Sequence, residues 1–149
     1  MKLETRYSAG LAIVYDKKVL LLHTTGRGRE HSYGIPKGGI DEGESNIDAA
    51  IRETYEECGI KVPVKLIDKS ENTFVVTSRK YKYNKVVTYF IVKVDDLKEI
   101  GLKSSDIPKK NLQLEEVDIA GFFNYTDAMN KIMKSQSPVI TTLINKGLI

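Results

Sequence analysis

Cysteine is almost absent from this chain of 149 residues: Cys58 stands alone. A lone thiol excludes an intrachain disulfide, so the fold has to rest on a buried core. A reducing cytoplasm is the expected setting. Long apolar runs are missing as well. No stretch approaches the roughly 20 residues that a membrane-spanning helix needs. The opening Met1-Lys2-Leu3-Glu4-Thr5-Arg6 has no apolar core of an export signal. No membrane partner is expected. Nor is charge of one sign in excess: 23 Lys and Arg against 20 Asp and Glu leave +3. That is too little to demand nucleic acid, yet compatible with anionic ligands. No repeat or linker divides the sequence, and its length suffices for one domain with a proper core. A single domain over residues 1–149 is expected, as a monomer or homodimer, with apolar Leu148 and Ile149 packing on the domain or on a second copy.

What the chain does have is carboxylate at helical spacing. Glu53, Glu56 and Glu57 are three and four residues apart. Side chains so placed share a helix face, with Cβ atoms roughly 5–6 Å apart. Three like charges at that distance repel, and a cation converts the cost into binding. Oxygen-only donors select a hard ion, so Mg²⁺ or Mn²⁺ is the expected cofactor. Such a centre suits phosphate chemistry, where a metal offsets charge and activates water. Arg52 precedes Glu56 by four residues and can steer a carboxylate through a charged hydrogen bond. Glu44 lies in the turn before the helix and can fold over the cluster. Gly38-Gly39 permits close approach of backbone to metal and phosphate. An isolated run of glutamates is usually a solvated helix face; here the flanking Gly38, Glu44, Arg52 and Gly59 argue for a metal face.

The surrounding pattern predicts a mixed α and β domain. Residues 8–14 and 19–24 read as strands about a turn at Asp16-Lys17-Lys18, followed by a polar loop over residues 26–31. Residues 35–39 cannot be helix interior. Ser45 and Asp48 have capping-box spacing, so a helix starts there, buries Ile47, Ala50, Ile51, Thr54 and Cys58, and stops at Gly59. Residues 64–68 read as a strand, and 72–81 with 86–94 as a long hairpin around Tyr83-Asn84-Lys85. Residues 95–115 are polar, contain Pro108, and are long enough for a functional loop. Residues 117–123 complete the strands, and 127–134 and 138–145 read as short helices.

Gly38, Glu44, Arg52-Glu53, Glu56-Glu57 and Gly59-Ile60 together resemble the Nudix box, the signature of hydrolases that cleave nucleoside diphosphates linked to another group. Thr54 departs from the usual bulky aliphatic but keeps a branched shape. The resemblance implies an α/β fold (α+β) of the Nudix type, an α/β/α sandwich with a mixed sheet. It implies Glu56 and Glu57 as principal metal ligands, Glu53 shared between ligation and base duty, and the carbonyl near Gly38 as a further ligand. Glu44 and Arg52 support the catalytic centre. Some members place their base on the loop before the last strand, where Glu115 and Glu116 stand; Glu116 is the favoured added ligand or base, against a plain surface charge.

For substrate, Tyr33-Gly34-Ile35-Pro36-Lys37-Gly38 is similar to the lead-in of diadenosine tetraphosphate hydrolases and RNA pyrophosphohydrolases, with Tyr33 where those often carry tryptophan. Thr77 stands near the usual tyrosine of the dinucleotide enzymes, and Tyr81 and Tyr83 come later. Lys37 is placed to contact a phosphate, with Arg27 and Arg29 in the preceding loop. Residues 79–85 interleave Tyr81 and Tyr83 with cations and can stack a base and hold phosphates; the plainer reading is a hairpin kept soluble by lysines. Dinucleoside polyphosphate hydrolysis is the first expectation, an RNA 5′ end the second, and a non-catalytic nucleotide sensor the third.

Overall fold

The computed structural model describes residues 2–149, so Met1 of the expected 1–149 domain lies outside the described residues. Two twelve-residue strands, β1 (Glu4–Tyr15) and, late in the chain, the sixth strand Tyr83–Val94, run parallel along their whole length. Strand β2 (Lys18–Thr24) pairs with β1 only beside the turn, at Val14 with Val19 and Tyr15 with Lys18, and then diverges. Into the opening come two short strands. β3 (Tyr33–Gly34) pairs with β2, and β4 (Lys37–Gly39) pairs antiparallel with β1. Helix α1 (Asn46–Cys58) follows, then β5 (Asn72–Ser78), antiparallel to the strand Tyr83–Val94, here β6. β7 (Val117–Phe123) closes the sheet against β2. Helices α2 (Tyr125–Lys131) and α3 (Ser137–Asn145) end the order.

Alternation along the strands divides the core in two. Ala9, Leu11 and Ile13 of β1 face α1 with Phe90 and Val92, while Ala12 and Val14 face α3 with Tyr89 and Ile91. Helices on both faces of a mixed sheet make the α+β sandwich that the resemblance implied, where the sequence pattern alone gave a mixed α and β domain. Among the described residues no helix is long and apolar enough to cross a membrane.

Helix α1 is delimited as its sequence demands. The Ser45 hydroxyl accepts the Asp48 N–H at 3.1 Å. Gly59 takes the left-handed conformation (φ 72°) and donates its N–H to Tyr55. Thr54 is buried, and its hydroxyl donates to the Ala50 carbonyl at 2.7 Å, which is how a polar branch sits on the core stripe.

Five expectations are corrected. Residues 64–68 form no strand: Pro63 opens a 3₁₀ turn (Val64–Leu66), and only Ile67 bridges to Val92. β1 starts at Glu4, well before residue 8, because its early residues pair with β6 from Tyr83 onward. That same pairing draws Tyr83, Asn84 and Lys85 into strand, so the hairpin turns at residues 79–82, with Lys82 at φ 57°. The 95–115 segment is a cover for the α1-side core. It buries Leu97, Ile100, Leu102, Ile107 and Leu112 and contains 3₁₀ turns at Leu97–Ile100 and Lys109–Asn111. Its length serves packing, because polar and apolar residues alternate too irregularly to show their inward face in the sequence. Finally, α2 begins two residues before the expected 127, where Asn124 caps it by accepting the Asp127 N–H.

Candidate functional site

The divergence of β1 from β2 opens a cleft that β4 and α1 enter from one side and β7 from the other. β4 can lie against β1 because Gly10 has no side chain; a Cβ there would stand 2.5 Å from the Pro36 carbonyl oxygen. In antiparallel register Gly38 sits opposite Ala9 and so faces α1. The Glu53 carboxylate fills the space that a Cβ on Gly38 would take. The sequence-level reason for this glycine is thus a close approach of a carboxylate to backbone.

Arg52 is the hub of the acidic turn and helix. Its Nε and Nη2 grip the Glu44 carboxylate at 2.9 and 3.0 Å, Nη1 donates to Glu53 at 3.0 Å and Glu56 at 3.1 Å, and Nη2 also reaches the Gly39 carbonyl at 2.8 Å. The hydrogen bonds from Arg52 hold the Glu44 carboxyl below its usual range. Donating to these carboxylates, Glu44 first, drives Arg52 further up in turn. Glu56, by contrast with Glu53 and Glu57, is exposed.

Burial dominates deeper in the cleft. Glu57 accepts the Lys37 N–H at 2.8 Å. Burial still pushes its carboxyl up to about 7, with the charges of Glu53 and Glu116 adding to the effect and Lys37 opposing it. Glu53 is also raised, by burial first, against the pull of Arg52. Lys37 is lowered by burial and then by Lys85, with Glu57 and Glu53 opposing. Buried like charges that remain costly despite partners mark a place where an ionic ligand brings stabilisation.

Glu116 is carried to this cleft by the 95–115 cover and the start of β7. The Glu57 carbonyl accepts the Gln113 N–H at 3.0 Å, the Gln113 carbonyl accepts from Glu116 at 2.8 Å, and the Glu116 carbonyl accepts from Thr25 at 3.0 Å. A cavity of about 90 Å³ is lined by Lys37, Glu57, Glu116, Gly34, Met133 and Gln136. Buried Gln136 accepts the Ile35 N–H at 3.0 Å, fixing the backbone that leads to Lys37.

The donor set is oxygen only, cradled at a glycine and short of compensating charge, which fits a hard divalent cation. Among the described residues no three acidic or histidine side chains already converge on one point. Arg52 draws Glu44, Glu53 and Glu56 to itself, and the Lys37 amide draws Glu57.

The expected substrate contacts divide. Lys37 lines the cleft. Tyr33 is buried, 2% exposed, with its ring 4.9 Å from His23 and 5.4 Å from Phe123, so neither face is free to stack a base. Its place is the core, a correction that follows from β3 pairing with β2. Arg27 is exposed on the loop after β2. Tyr81 is exposed at the hairpin tip beside Lys80, and Tyr83 lies under the Arg6 guanidinium at 4.5 Å. Sequence reasoning passed over Arg6, Gly10 and Gln136, and took Lys85 only as one cation of the 79–85 run. The parallel register of β1 with β6 sets Arg6 beside Lys85.

A family model described as NUDIX domain matches residues 4–143. Curated RNA pyrophosphohydrolases match over a short segment. The protein of Bartonella tribocorum is 54% identical over 46 residues, which is 31% of this chain and 26% of that protein. The protein of Ruthia magnifica is 44% identical over 55 residues, 37% of this chain and 30% of that protein. The match thus spans about a quarter to a third of these relatives' length. Among solved structures, a C. elegans Ap4A hydrolase binary complex has a TM-score of 0.69 at 22% identity, covering 96% of this chain and 97% of that one. A MutT protein from Methanosarcina mazei Go1 has a TM-score of 0.73 at 14% identity, covering 99% and 98%. At these identities the likeness is one of fold.

Proposed function

The chain belongs to the NUDIX domain family, and from that premise we propose that it hydrolyses a phosphoanhydride bond of a nucleoside polyphosphate with the help of a divalent cation. One observation carries the reading: Glu53, Glu57 and Glu116 share a cleft with half-buried Lys37. Glu53, Glu56 and Glu57, with the carbonyl near Gly38, would hold Mg²⁺ or Mn²⁺, and Glu116 is an added ligand or the base. The bound ion supplies charge neutralisation and an acidified water. Glu53 or Glu116 takes the proton of the attacking water. Lys37, on β4 beside these carboxylates, receives the phosphate, and its partly buried charge acts through low dielectric. Arg52 positions Glu53 and Glu56 and ties Glu44 over them. Cys58 takes no part: burial pushes its thiol up to about 12.

The substrate of first choice is a dinucleoside polyphosphate of the diadenosine tetraphosphate type, on the lead-in Tyr33 to Gly38. A specific observation favours an RNA 5′ end as the second. The relatives aligned at 44–54% identity are RNA pyrophosphohydrolases, and a cationic line from Lys37 through Lys85 to Arg6 and Tyr83 leads away from the cleft. Such a line suits a strand of phosphates, whose binding weakens with salt. A cytoplasmic location and a monomeric or homodimeric state complete the proposal.

The test is product analysis with Mg²⁺ on diadenosine tetraphosphate, ADP-ribose, nucleoside triphosphates and 5′-triphosphorylated RNA, with Glu57→Gln as control. ATP plus AMP at the best kcat/KM supports the first substrate, and preference for RNA the second. No turnover of any of them, with tight nucleotide binding, replaces the hydrolase by a sensor.

A further inference from the structure

A half-buried polar pair, His23 with Asp118, lies outside the acidic cluster. His23 of β2 is 3% exposed, with an oxygen acceptor on each side of its ring. Nδ1 lies 2.5 Å from Asp118 Oδ1, and Nε2 lies 2.8 Å from the Gly28 carbonyl oxygen. The ring packs on Tyr33.

Asp118 owes its place to an irregularity in β7. His23 pairs with Ile119 and Thr24 with Val117, so Asp118 falls between two paired residues and has no partner of its own in β2. A bulge of this kind re-aims the side chains around it. Here Val117 enters the α1-side core and Ile119 packs on the other. Glu116, just outside the strand, is left at the cleft. The backbone there is tied to β2 a second time: the Thr25 N–H donates to the Glu116 carbonyl and the Thr25 hydroxyl to the Leu114 carbonyl, at 3.0 and 2.9 Å.

We propose that His23 and Asp118 are positioning residues: their contact holds the bulge in β7 and thereby aims the Glu116 carboxylate into the cleft. This rests on the reading of Glu116 as ligand or base. Without the ring the bulged residue loses this side-chain anchor to β2, and a slip by one residue turns each neighbouring side chain to the other face. The Gly28 carbonyl loses its partner in the same change, which loosens the loop carrying Arg27.

A double-mutant cycle tests the proposal. His23→Gln and Asp118→Ala are made alone and in a Glu116→Gln background. kcat and KM are measured with Mg²⁺ on whichever of diadenosine tetraphosphate and 5′-triphosphorylated RNA the wild type turns over faster, together with Tm. His23→Gln should lower kcat by about tenfold or more with KM nearly unchanged, and should cost nothing further once Glu116 is Gln. Asp118→Asn keeps an acceptor oxygen for the ring and should retain more activity than Asp118→Ala. Losses that multiply in the double variant, or a folded His23→Gln protein at the wild-type rate, overturn the proposal. If Glu116→Gln alone keeps the wild-type rate, the role of Glu116 falls and the proposal with it, while Glu57→Gln reports separately on the metal centre. Should His23→Gln fail to fold, the two Asp118 variants carry the same cycle.

Discussion

A magnesium titration at about pH 6 should release close to one proton per ion bound, and at about pH 8 close to none. The source is Glu57. Its carboxyl rises from an ordinary 4.5 to about 7, chiefly through burial, with Glu53 and Glu116 adding like charge. At roughly 1.4 kcal/mol per pH unit, ionising it within the fold costs ~3 kcal/mol relative to the unfolded chain. Because the folded value is the higher one, the protonated carboxyl's contribution to stability is fully present below about pH 4.5. It is lost as pH rises through about 7. Metal reverses the balance. Above about 7 the ion meets a ligand already charged; below it a proton must leave, and apparent affinity falls by up to about tenfold per pH unit. Calorimetry in two buffers of different ionisation enthalpy counts the protons, and Glu57→Gln should abolish the release. A magnesium affinity independent of pH between about 5.5 and 8 would refute the reasoning. So would metal-free wild type that gains urea resistance, relative to Glu57→Gln, as pH rises from about 4.5 to about 7.

Three further substitutions separate packing from chemistry. Gly38→Ala introduces a Cβ whose nearest neighbours are the atoms of the Glu53 carboxylate, the far end of a side chain, so Tm should hold within a few degrees while kcat drops by about a hundredfold. Gly10→Ala does the opposite: its Cβ meets the Pro36 carbonyl and Lys37 Cβ at 2.5 and 2.7 Å. Backbone cannot give way so easily, and urea unfolding should show a loss of about 1–3 kcal/mol. Tyr33→Ala empties a core site between His23 and Phe123, and should cost about 3–5 kcal/mol in the same assay. A Tyr33→Ala protein of unchanged stability and raised KM would return that ring to the substrate.

Much of the fold and part of the site were legible in the chain, wherever the cause is local. Ser45, the stripe from Ile47 to Cys58 and Gly59 state where α1 begins, which face it buries and where it ends, since capping and 3.6-residue periodicity act within a few residues. The same periodicity put Glu53, Glu56 and Glu57 together. Tertiary structure alone decided which of them is buried: Glu57 lies against β4 and the Gln113 backbone, while Glu56 stays exposed. Tyr33 looked like a binding aromatic and became core, because pairing of β3 with β2 is a long-range choice. Lys85 and Arg6 became neighbours only through a parallel register between strands separated by about half the chain. Asp118 and His23 carried no signal in sequence, for a bulge exists only between two strands. Local rules follow from neighbours along the chain; register, burial and the partners of buried charge depend on how distant segments meet, which for this chain happens where β1 and β2 part.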